Sequence, residues 1–198
     1  MFRINKLLLA LAVFVVFGVA PAVRADDCTP TPGNLVVNCG FETGTFAGWT
    51  QSGNPAFTSV GAAAAHSGNF GGSFGPTVTL GFIEQNIATV AGQQYSWSFW
   101  LANLGGTPNQ FLFLQDNLAR VNLLNVSPSA YTQFSGSFTA TGALTNIKFG
   151  FRQDPSFWNF DDVVVRLGGP AVPEPMTMLL LGSGLAGLGM KLRRRRNR

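Results

Sequence analysis

The middle of the chain alternates apolar and polar side chains in short runs. In one of these runs Tyr95, Trp97 and Phe99 fall on one face, and Ser96 and Ser98 fall between them. A period of two is typical of a β-strand, whose successive side chains point to opposite faces. The interior shows no sustained 3.6-residue period of the kind that an amphipathic helix has. The pattern therefore predicts an all-β domain.

Nine segments carry this strand-like pattern, and Gly, Asn, Pro and Ser separate them. The segments are 34–38, 57–61, 81–90, 94–104, 110–115, 119–125, 132–140, 145–152 and 160–167. In the eighth segment Ile147 and Phe149 share one face, and Lys148 lies between them on the other. We expect the large apolar faces to meet as the core of a β-sandwich.

The first 25 residues have the three parts of a secretory signal. Residues 1–6 are positively charged, residues 7–20 are apolar, and Val23 and Ala25 place small side chains before a cleavage point. This pattern predicts a signal peptide over residues 1–25 and export by the Sec translocon. The alternative is an uncleaved anchor helix, for which the apolar run is short.

A second apolar run lies near the C-terminus, at residues 176–190, and a basic tail follows it at 191–198. A helix of this length spans about 22 Å, which is less than the roughly 30 Å of a bilayer core. Snorkelling of Lys191 and Arg193 would cover the difference. The cations are expected to hold the tail in the cytoplasm, so the run predicts a short transmembrane helix with the domain outside the inner membrane.

This end of the chain resembles the PEP-CTERM sorting signal of Gram-negative bacteria. The resemblance rests on a Pro-Glu-Pro motif, an apolar helix and an arginine cluster in that order, namely Pro173, Glu174, Pro175, 176–190, Arg193, Arg194, Arg195 and Arg196. It implies recognition by an exosortase, which processes the chain near the motif and releases or attaches the mature domain. Such proteins are commonly linked to extracellular polysaccharide and biofilm. The alternative is a plain tail anchor.

The charges are distributed unevenly along the chain. The whole chain carries +4, but residues 26–175 hold only four of the 13 basic side chains and all nine acidic ones, a net charge of −5. Nucleic-acid binding needs cations clustered on the folded domain. This distribution excludes a nucleic-acid-binding protein.

The chain has two cysteines, Cys28 and Cys39, eleven positions apart. In an exported protein they can form a disulfide that closes a short loop and joins the linker 26–33 to the first strand. The alternative is two free thiols, with Cys39 pointing into the core.

The segment 34–42, with Gly48 and Trp49 after it, resembles the start of galactose-binding-like jelly-roll domains, which include several carbohydrate-binding modules. Residues 66–69 resemble their central Ser-Gly turn, and residues 157–165 their closing strand. The resemblance implies a jelly-roll β-sandwich over residues 34–168, followed by a linker at 169–175. Cys39 replaces the glycine that these domains usually have there.

In many such modules a calcium ion joins the first and last strands, and carboxylates supply part of its oxygen shell. The resemblance assigns this role to Glu42 and to Asp161 or Asp162. Alternatively, Glu42 accepts backbone N–H bonds and the Asp pair is solvated. Strand alternation places only Asp161 on the face of Val163, where burial would require a cation or several donors.

Sugar binding by such modules uses aromatic platforms flanked by polar groups. Trp100 is the strand candidate, because it shares a face with serines, and Trp158 is the loop candidate. Lys148 and Arg152 share a strand face that could contact an acidic polysaccharide. The alternative for each aromatic residue is packing in the core or at its rim.

Little in the sequence indicates an enzyme. His66 is the single histidine and has no nucleophile signature nearby. The glycine-rich segment 71–75 lacks the Lys of a phosphate-binding loop. We expect a non-catalytic, surface-sorted module that binds extracellular polysaccharide in a biofilm or cell-envelope matrix. The alternative is a structural matrix protein or adhesin that contacts other proteins.

Overall fold

A computed structural model describes residues 26–154 and 156–168. The predicted signal peptide, Pro-Glu-Pro motif, transmembrane helix and basic tail lie outside these residues. The described part contains ten β-strands: β1 Thr50–Gly53, β2 Thr58–Gly61, β3 Gly71–Phe74, β4 Gly81–Ala88, β5 Gln94–Asn103, β6 Asn109–Gln115, β7 Leu118–Leu124, β8 Ser129–Thr139, β9 Leu144–Gln153 and β10 Trp158–Leu167. A short 3₁₀ turn covers Ala62–Ala64. None of the described helical segments is long and apolar enough to cross a membrane.

The strands form two five-stranded antiparallel sheets, so the predicted all-β sandwich is confirmed. The front sheet has the order β1-β4-β9-β6-β7, and the back sheet has the order β2-β3-β10-β5-β8. Strands that are distant in sequence therefore lie side by side, as in the central pair β5 and β10. This interleaving brings chemical groups from both ends of the domain to one surface.

Aromatic side chains fill the space between the two sheets. Phe99 of the back sheet packs on Phe149 of the front sheet with ring centroids 5.5 Å apart, and Phe160 lies 4.7 Å from Phe149. All three side chains are essentially inaccessible to water. Each buried aromatic of this size contributes about 1.5–3 kcal/mol. The alternating large residues of β5, β9 and β10 therefore form the core, as their pattern predicts.

Eight of the nine predicted strands are present, but the predicted strand 34–38 is not. Its place beside β10 is taken by the side chain of Asn34, which donates to the carbonyl of Val163 at 3.1 Å and accepts from the N–H of Val165 at 3.0 Å. Leu35 adds one backbone bond to Val165 at 2.8 Å. The segment is thus held by a side chain rather than by a regular ladder, and the strand prediction was wrong.

The sequence pattern missed β1 and β3, which are each four residues long. β3 contains Gly71 and Gly72, so it has too few apolar side chains to show an alternation. Gly71 is required by close packing, because a Cβ there would lie 1.9 Å from the carbonyl oxygen of Ala64. The glycine-rich segment that lacked a phosphate-loop Lys is therefore a strand that passes close to a neighbouring turn.

The predicted disulfide between Cys28 and Cys39 is confirmed, with the two Cα atoms 6.0 Å apart. Both residues are buried. The carbonyl of Cys39 accepts the N–H of Val163 at 3.0 Å, which joins the bridged segment to β10. The disulfide therefore fixes the N-terminal segment beside the last strand.

Candidate functional site

The outer face of the front sheet has an apolar centre. Phe82, Gly150 and Leu112 are register partners across β4, β9 and β6, so they form one row on this face. A Cβ at Gly150 would lie 2.6 Å from Phe82 Cε1, so the phenyl ring covers the strand where the side chain is missing. Phe82 and Leu112 are half-buried and keep part of their surface in water. The row is a shallow apolar platform.

Charged side chains flank this platform. Lys148 Nζ lies 4.7 Å from the centre of the Phe82 ring and 3.6 Å from Glu84 Oε2. On the other side Arg152 Nε donates to Asp154 Oδ2 at 2.8 Å. Each cation is paired with one acid, so this face carries polar groups without a large net charge.

An amide completes the polar flank. Gln110 is the register partner of Arg152, and its Nε2 donates to Asn122 Oδ1 at 3.2 Å. These side chains present donors and acceptors beside the apolar row. An apolar centre with convergent polar groups is the arrangement that ligand-binding sites use to orient a ligand.

Sequence reasoning identified Lys148 and Arg152 but missed Phe82, Leu112 and Gly150. The signal that could have identified them lies in the outward-facing residues of two predicted strands. Phe82 alternates with the buried Ile83, and Leu112 alternates with the buried Phe111. A sequence does not show which outward-facing residues of separate strands lie in one row, because that depends on the register of three strands.

Trp100 lies on the opposite surface of the sandwich, on the outer face of the back sheet. It lines a groove of about 510 Å³ together with Ser96 and Ser98. Its indole ring is stacked on the imidazole of His66, with centroids 4.0 Å apart and an interplanar angle of 17°. Trp100 and the pair Lys148 and Arg152 thus belong to different sheets and cannot contact one short ligand together.

Trp158 is not available as a sugar platform, which corrects the prediction for this residue. Its side chain is 1% exposed, and its Nε1 donates to the carbonyl of Arg152 at 2.9 Å. It is the first residue of β10 rather than part of a loop. The alternative reading, core packing, describes this tryptophan.

The Asp pair at the start of the closing strand is fully inside the protein. Asp161 is 0% exposed and Asp162 is 3% exposed. The prediction that Asp161 shares the face of Val163 was wrong, because the pairing of β10 with β5 is irregular between Asp161 and Val164. Asp161 is the register partner of Trp100 on the outer face, whereas Val165 pairs with the buried Trp97. Asp162 has a φ of 53°, and this left-handed backbone interrupts the alternation.

Both carboxylates bind the segment that resembles a Ser-Gly turn. Asp161 accepts the backbone N–H of His66 at 2.7 Å and that of Ser67 at 3.3 Å. Asp162 accepts the Ser67 hydroxyl at 2.6 Å, and its other oxygen lies 2.6 Å from His66 Nδ1. The several donors that a buried Asp161 requires are therefore present in the protein itself.

Burial controls the protonation of this region. It raises the pKa of Asp161 to about 8, and the neighbouring charge of Asp162 adds to the effect. Burial also raises the pKa of Asp162. The pKa of the Tyr131 hydroxyl is raised for the same reason, with a further contribution from both acids. The region therefore has an excess of acidic groups in a water-poor site.

Glu42 has a different set of partners. Its carboxylate accepts the backbone N–H of Asn69 at 2.9 Å and that of Phe70 at 3.0 Å. Glu42, Asp161 and Asp162 do not supply three ligand atoms within 4.8 Å of one another in the described part of the chain. As placed, these residues do not fit one calcium ion held by all three acids. Calcium at these residues stays a prediction.

Two family descriptions match this chain. "Carbohydrate binding domain" matches residues 33–156, and "PEP-CTERM protein-sorting motif" matches residues 171–196. The first match covers most of the sandwich, and the second lies beyond the described residues. Together they agree with both resemblances that the sequence shows.

One named relative shares part of the sequence. The chain is 30% identical to endo-1,4-beta-xylanase A of Thermoanaerobacterium saccharolyticum over 118 residues, which are 54% of this chain and 10% of that enzyme. The chain thus spans about a tenth of the length of this relative.

Solved structures share the fold. TmCBM61 in complex with beta-1,4-galactotriose has a TM-score of 0.58 at 20% identity, over 68% of this chain and 99% of that one. The CBM22-1 xylan-binding domain from Paenibacillus barcinonensis Xyn10C has a TM-score of 0.51 at 15% identity, over 70% and 97%. At these identities the similarity shows the jelly-roll fold of carbohydrate-binding modules.

Proposed function

Because this chain belongs to the carbohydrate binding domain family, we propose that it is an exported module that binds a polysaccharide without cleaving it. The observation that carries the proposal is the outer face of the front sheet, where Phe82 and Leu112 form an apolar row between charged and amide side chains. An extended sugar chain fits a platform that crosses several strands.

The platform has both kinds of contact that a sugar ring needs. A pyranose presents C–H groups on its faces, which pack on an apolar or aromatic surface, and hydroxyls around its edge, which need donors and acceptors. Phe82 and Leu112 would take the ring faces. Lys148, Arg152 and Gln110 would take the hydroxyls.

The charges favour a neutral or weakly acidic glycan. Lys148 and Arg152 are each paired with an acid, Glu84 and Asp154, so the face has no excess of cations for a highly charged polymer. The β-1,4-linked sugar named with TmCBM61 and the xylan named with the CBM22-1 domain support neutral β-1,4-linked oligosaccharides as the first probes.

The proposal assigns no catalytic step to this face. A glycosidase needs two carboxyl groups about 5–9 Å apart on either side of the bond that it cleaves. Glu84 is paired with Lys148, and Asp154 is paired with Arg152. In the proposed role these acids orient the two cations.

The test is binding of β-1,4-xylo- and galacto-oligosaccharides to the purified full chain, measured by calorimetry and by retardation in polysaccharide-containing gels. Phe82→Ala removes the platform and should weaken binding about tenfold, a loss of about 1.4 kcal/mol. Phe57→Ala removes an equally large side chain that is 65% exposed and lies outside this face, so it should bind like the wild type. Equal binding by the two variants, or no binding by the wild type, would overturn the proposal.

For delivery to its site of action we propose export by the Sec translocon and a transient stay in the inner membrane. The PEP-CTERM motif supports processing by an exosortase near Pro173, Glu174 and Pro175. The mature domain would then act at the cell surface or in the extracellular matrix of a Gram-negative bacterium. Mass spectrometry of the mature protein should find a C-terminus near the motif, and Glu174→Ala should leave the unprocessed chain in the membrane. A chain that keeps Arg198 in wild-type cells would contradict this route.

The second candidate function is protein contact in a matrix. Edge strand β8 of the back sheet supports it, since this strand is 11 residues long and has no charged side chain to discourage pairing with another strand. Capture of protein partners that persists in excess oligosaccharide, with no polysaccharide retardation, would favour this function over the first.

A further inference from the structure

A group of metal-ligating side chains lies outside the proposed sugar platform, where three segments meet. A ring nitrogen of His66, one oxygen of Asp27 and one oxygen of Asp162 all lie within 4.8 Å of one another. Asp27 comes from the N-terminal segment, His66 from the turn after the 3₁₀ helix, and Asp162 from the bulge in β10. The residues are brought together by the tertiary structure, because more than 130 positions separate the first from the last.

The imidazole of His66 is held in place before any ligand binds. One face is stacked on Trp100 at 4.0 Å, and the edge of the ring meets Tyr131 at 5.0 Å. The Tyr131 hydroxyl donates to the carbonyl of Ala64 at 2.5 Å, so the second aromatic ring is itself fixed. Nδ1 then faces Asp162. Fixed side chains lose little entropy when they bind a metal ion, which favours binding.

The surroundings of this group hold more acidic than basic side chains. Asp161 and Asp162 are adjacent and buried, and the charge of Asp26 also acts on Asp162. In the described part of the chain, the one basic side chain within ion-pair distance of any of these acids is the imidazole of His66, whose Nδ1 lies 2.6 Å from Asp162 Oδ2. Arg166 lines the same groove as Asp27 and Asp162 but forms no ion pair with these acids. Buried carboxylates are costly unless a cation or several donors compensate them.

Asp27 supports a ligand rather than a purely structural role for the group. Its backbone is fixed, since its N–H donates to the Ser67 hydroxyl at 2.9 Å and its carbonyl accepts from Thr31 at 2.9 Å. Its carboxylate accepts no hydrogen bond from any described residue. The exposed carboxylate of Asp27, whose oxygens accept no hydrogen bond from a described residue, therefore lies close to the buried carboxylate of Asp162 and to the imidazole of His66.

We infer that Asp27, His66 and Asp162 form a binding site for a first-row divalent transition-metal ion, with zinc as the best-fitting probe. An imidazole nitrogen with two carboxylate oxygens suits zinc and its neighbours, whereas calcium and magnesium prefer shells made of oxygen alone. Ligand atoms around a tetrahedral zinc ion lie about 3.3 Å from one another, which is within reach of this group after small shifts. The neutral imidazole would carry its proton on Nε2 and bind the metal through Nδ1. Solvent would fill the fourth position.

This site shares Asp162 with the predicted calcium site but differs from it in the other residues and in its chemistry. Glu42 takes no part, because its carboxylate holds the backbone of Asn69 and Phe70. Asp161 also stays outside, because it holds the backbone of His66 and Ser67. Those bonds position His66, so Asp161 acts on the site through the turn.

The test uses the untagged full chain in mild detergent, freed of metal with a chelator, since His66 is its single histidine and a tag would add others. Calorimetry with zinc alone should show one equivalent bound, and the proton NMR signals of His66 should shift with it. The indole fluorescence of Trp100 should change in the same titration. Calcium at the same concentration should neither bind at this site nor displace zinc.

Two variants and one control locate the ion. Asp27→Asn breaks no hydrogen bond of the carboxylate, so the protein should fold normally and bind zinc at least about tenfold more weakly. His66→Gln should abolish the binding. Asp116→Asn changes another exposed acid, in the turn between β6 and β7, and should leave zinc binding unaltered. No zinc binding by the wild type, zinc binding that survives both variants, or displacement of zinc by equimolar calcium would each overturn the assignment.

Discussion

The imidazole of His66 lies flat on the indole of Trp100, with ring centroids 4.0 Å apart. The contact joins the turn before β3 to the outer face of β5, and it covers one face of the indole. The other three tryptophans, Trp49, Trp97 and Trp158, are between 1% and 7% exposed. Trp100 is therefore the half-exposed indole of this domain, and its surroundings can be measured separately.

We predict that acrylamide quenches a single class of tryptophan in the native protein. Trp100→Phe should remove most of the quenchable fluorescence, while His66→Ala should increase the quenching rate by uncovering the second face of the ring. Trp158→Phe serves as the control and should leave the quenching unchanged, since Trp158 is buried.

The same measurement reports which face binds sugar. If the ligand lies on the front sheet, saturating oligosaccharide should leave the quenching of Trp100 as it was, because Trp100 lies on the back sheet. Protection of Trp100 by the sugar would instead place the ligand in the groove beside Ser96 and Ser98 and would contradict the Phe82 platform.

Gly71 should be intolerant of any side chain. Gly71→Ala places a Cβ 1.9 Å from the backbone oxygen of Ala64, and a backbone atom cannot rotate away as a side chain can. The free energy of unfolding in urea should fall by about 1–3 kcal/mol. Gly61 is its register partner in β2 and has open space around it. Gly61→Ala should therefore change stability by less than about 0.5 kcal/mol, and equal effects of the two changes would refute the argument.

Loss of the disulfide should cost stability and should also disturb Asp27. The bridge closes a loop of eleven positions, so Cys28→Ser with Cys39→Ser should lower the free energy of unfolding by about 2–3 kcal/mol. Reductant should have the same effect on the wild type and none on the double variant. Zinc affinity should fall in parallel, because Cys28 anchors the segment that carries Asp27. An unchanged zinc affinity would show that the disulfide does not position Asp27 for metal binding.

Asp161 should make the protein less stable as the pH rises. Its pKa is about 8 in the folded protein against a usual 3.8, so folding favours the protonated form. The contribution is complete below about pH 4 and is lost as the pH rises toward 8, by at most about 1.4 kcal/mol for each pH unit. Asp161→Asn resembles the protonated acid and should remove this dependence.

The measurement is thermal unfolding of wild type and Asp161→Asn between pH 4 and 8, with a chelator present to exclude metal ions. The stability of the variant relative to the wild type should increase steadily with pH. A difference that does not depend on pH would show that Asp161 is ionised in the folded protein throughout this range.

Much of the architecture was predictable because it depends on patterns of neighbouring residues in the sequence. The alternation around Phe99 and Phe149 predicted two strands and the faces that they bury. The pairing of Cys28 with Cys39 followed from their number and the expected export. β1 and β3 were missed because strands of four residues rich in glycine show no period, although both are set by their neighbours in the sheets.

The candidate site was predictable only in part. Lys148 and Arg152 were identified because they alternate with core residues on one strand. Phe82 was not, since its partner in the row is a glycine on another strand. Trp158 looked like an exposed loop aromatic because its neighbours Asp154 and Pro155 suggest a turn, but β10 begins with it and takes it into the core.

The sequence by itself determined the class of fold, the bridged N-terminal segment and the sorting signal, because each depends on residues close together in the chain or on composition. The tertiary structure alone decided that Phe82 joins Leu112, that Trp100 lies on the other side of the sandwich, and that Asp27 meets His66 and Asp162. Strand order and register place residues more than a hundred positions apart within a few ångströms. The bulge between Asp161 and Val164, which leaves Asp161 on the face of Trp100 rather than on that of Val165, arises from the geometry of that pairing and has no counterpart in the period of the sequence.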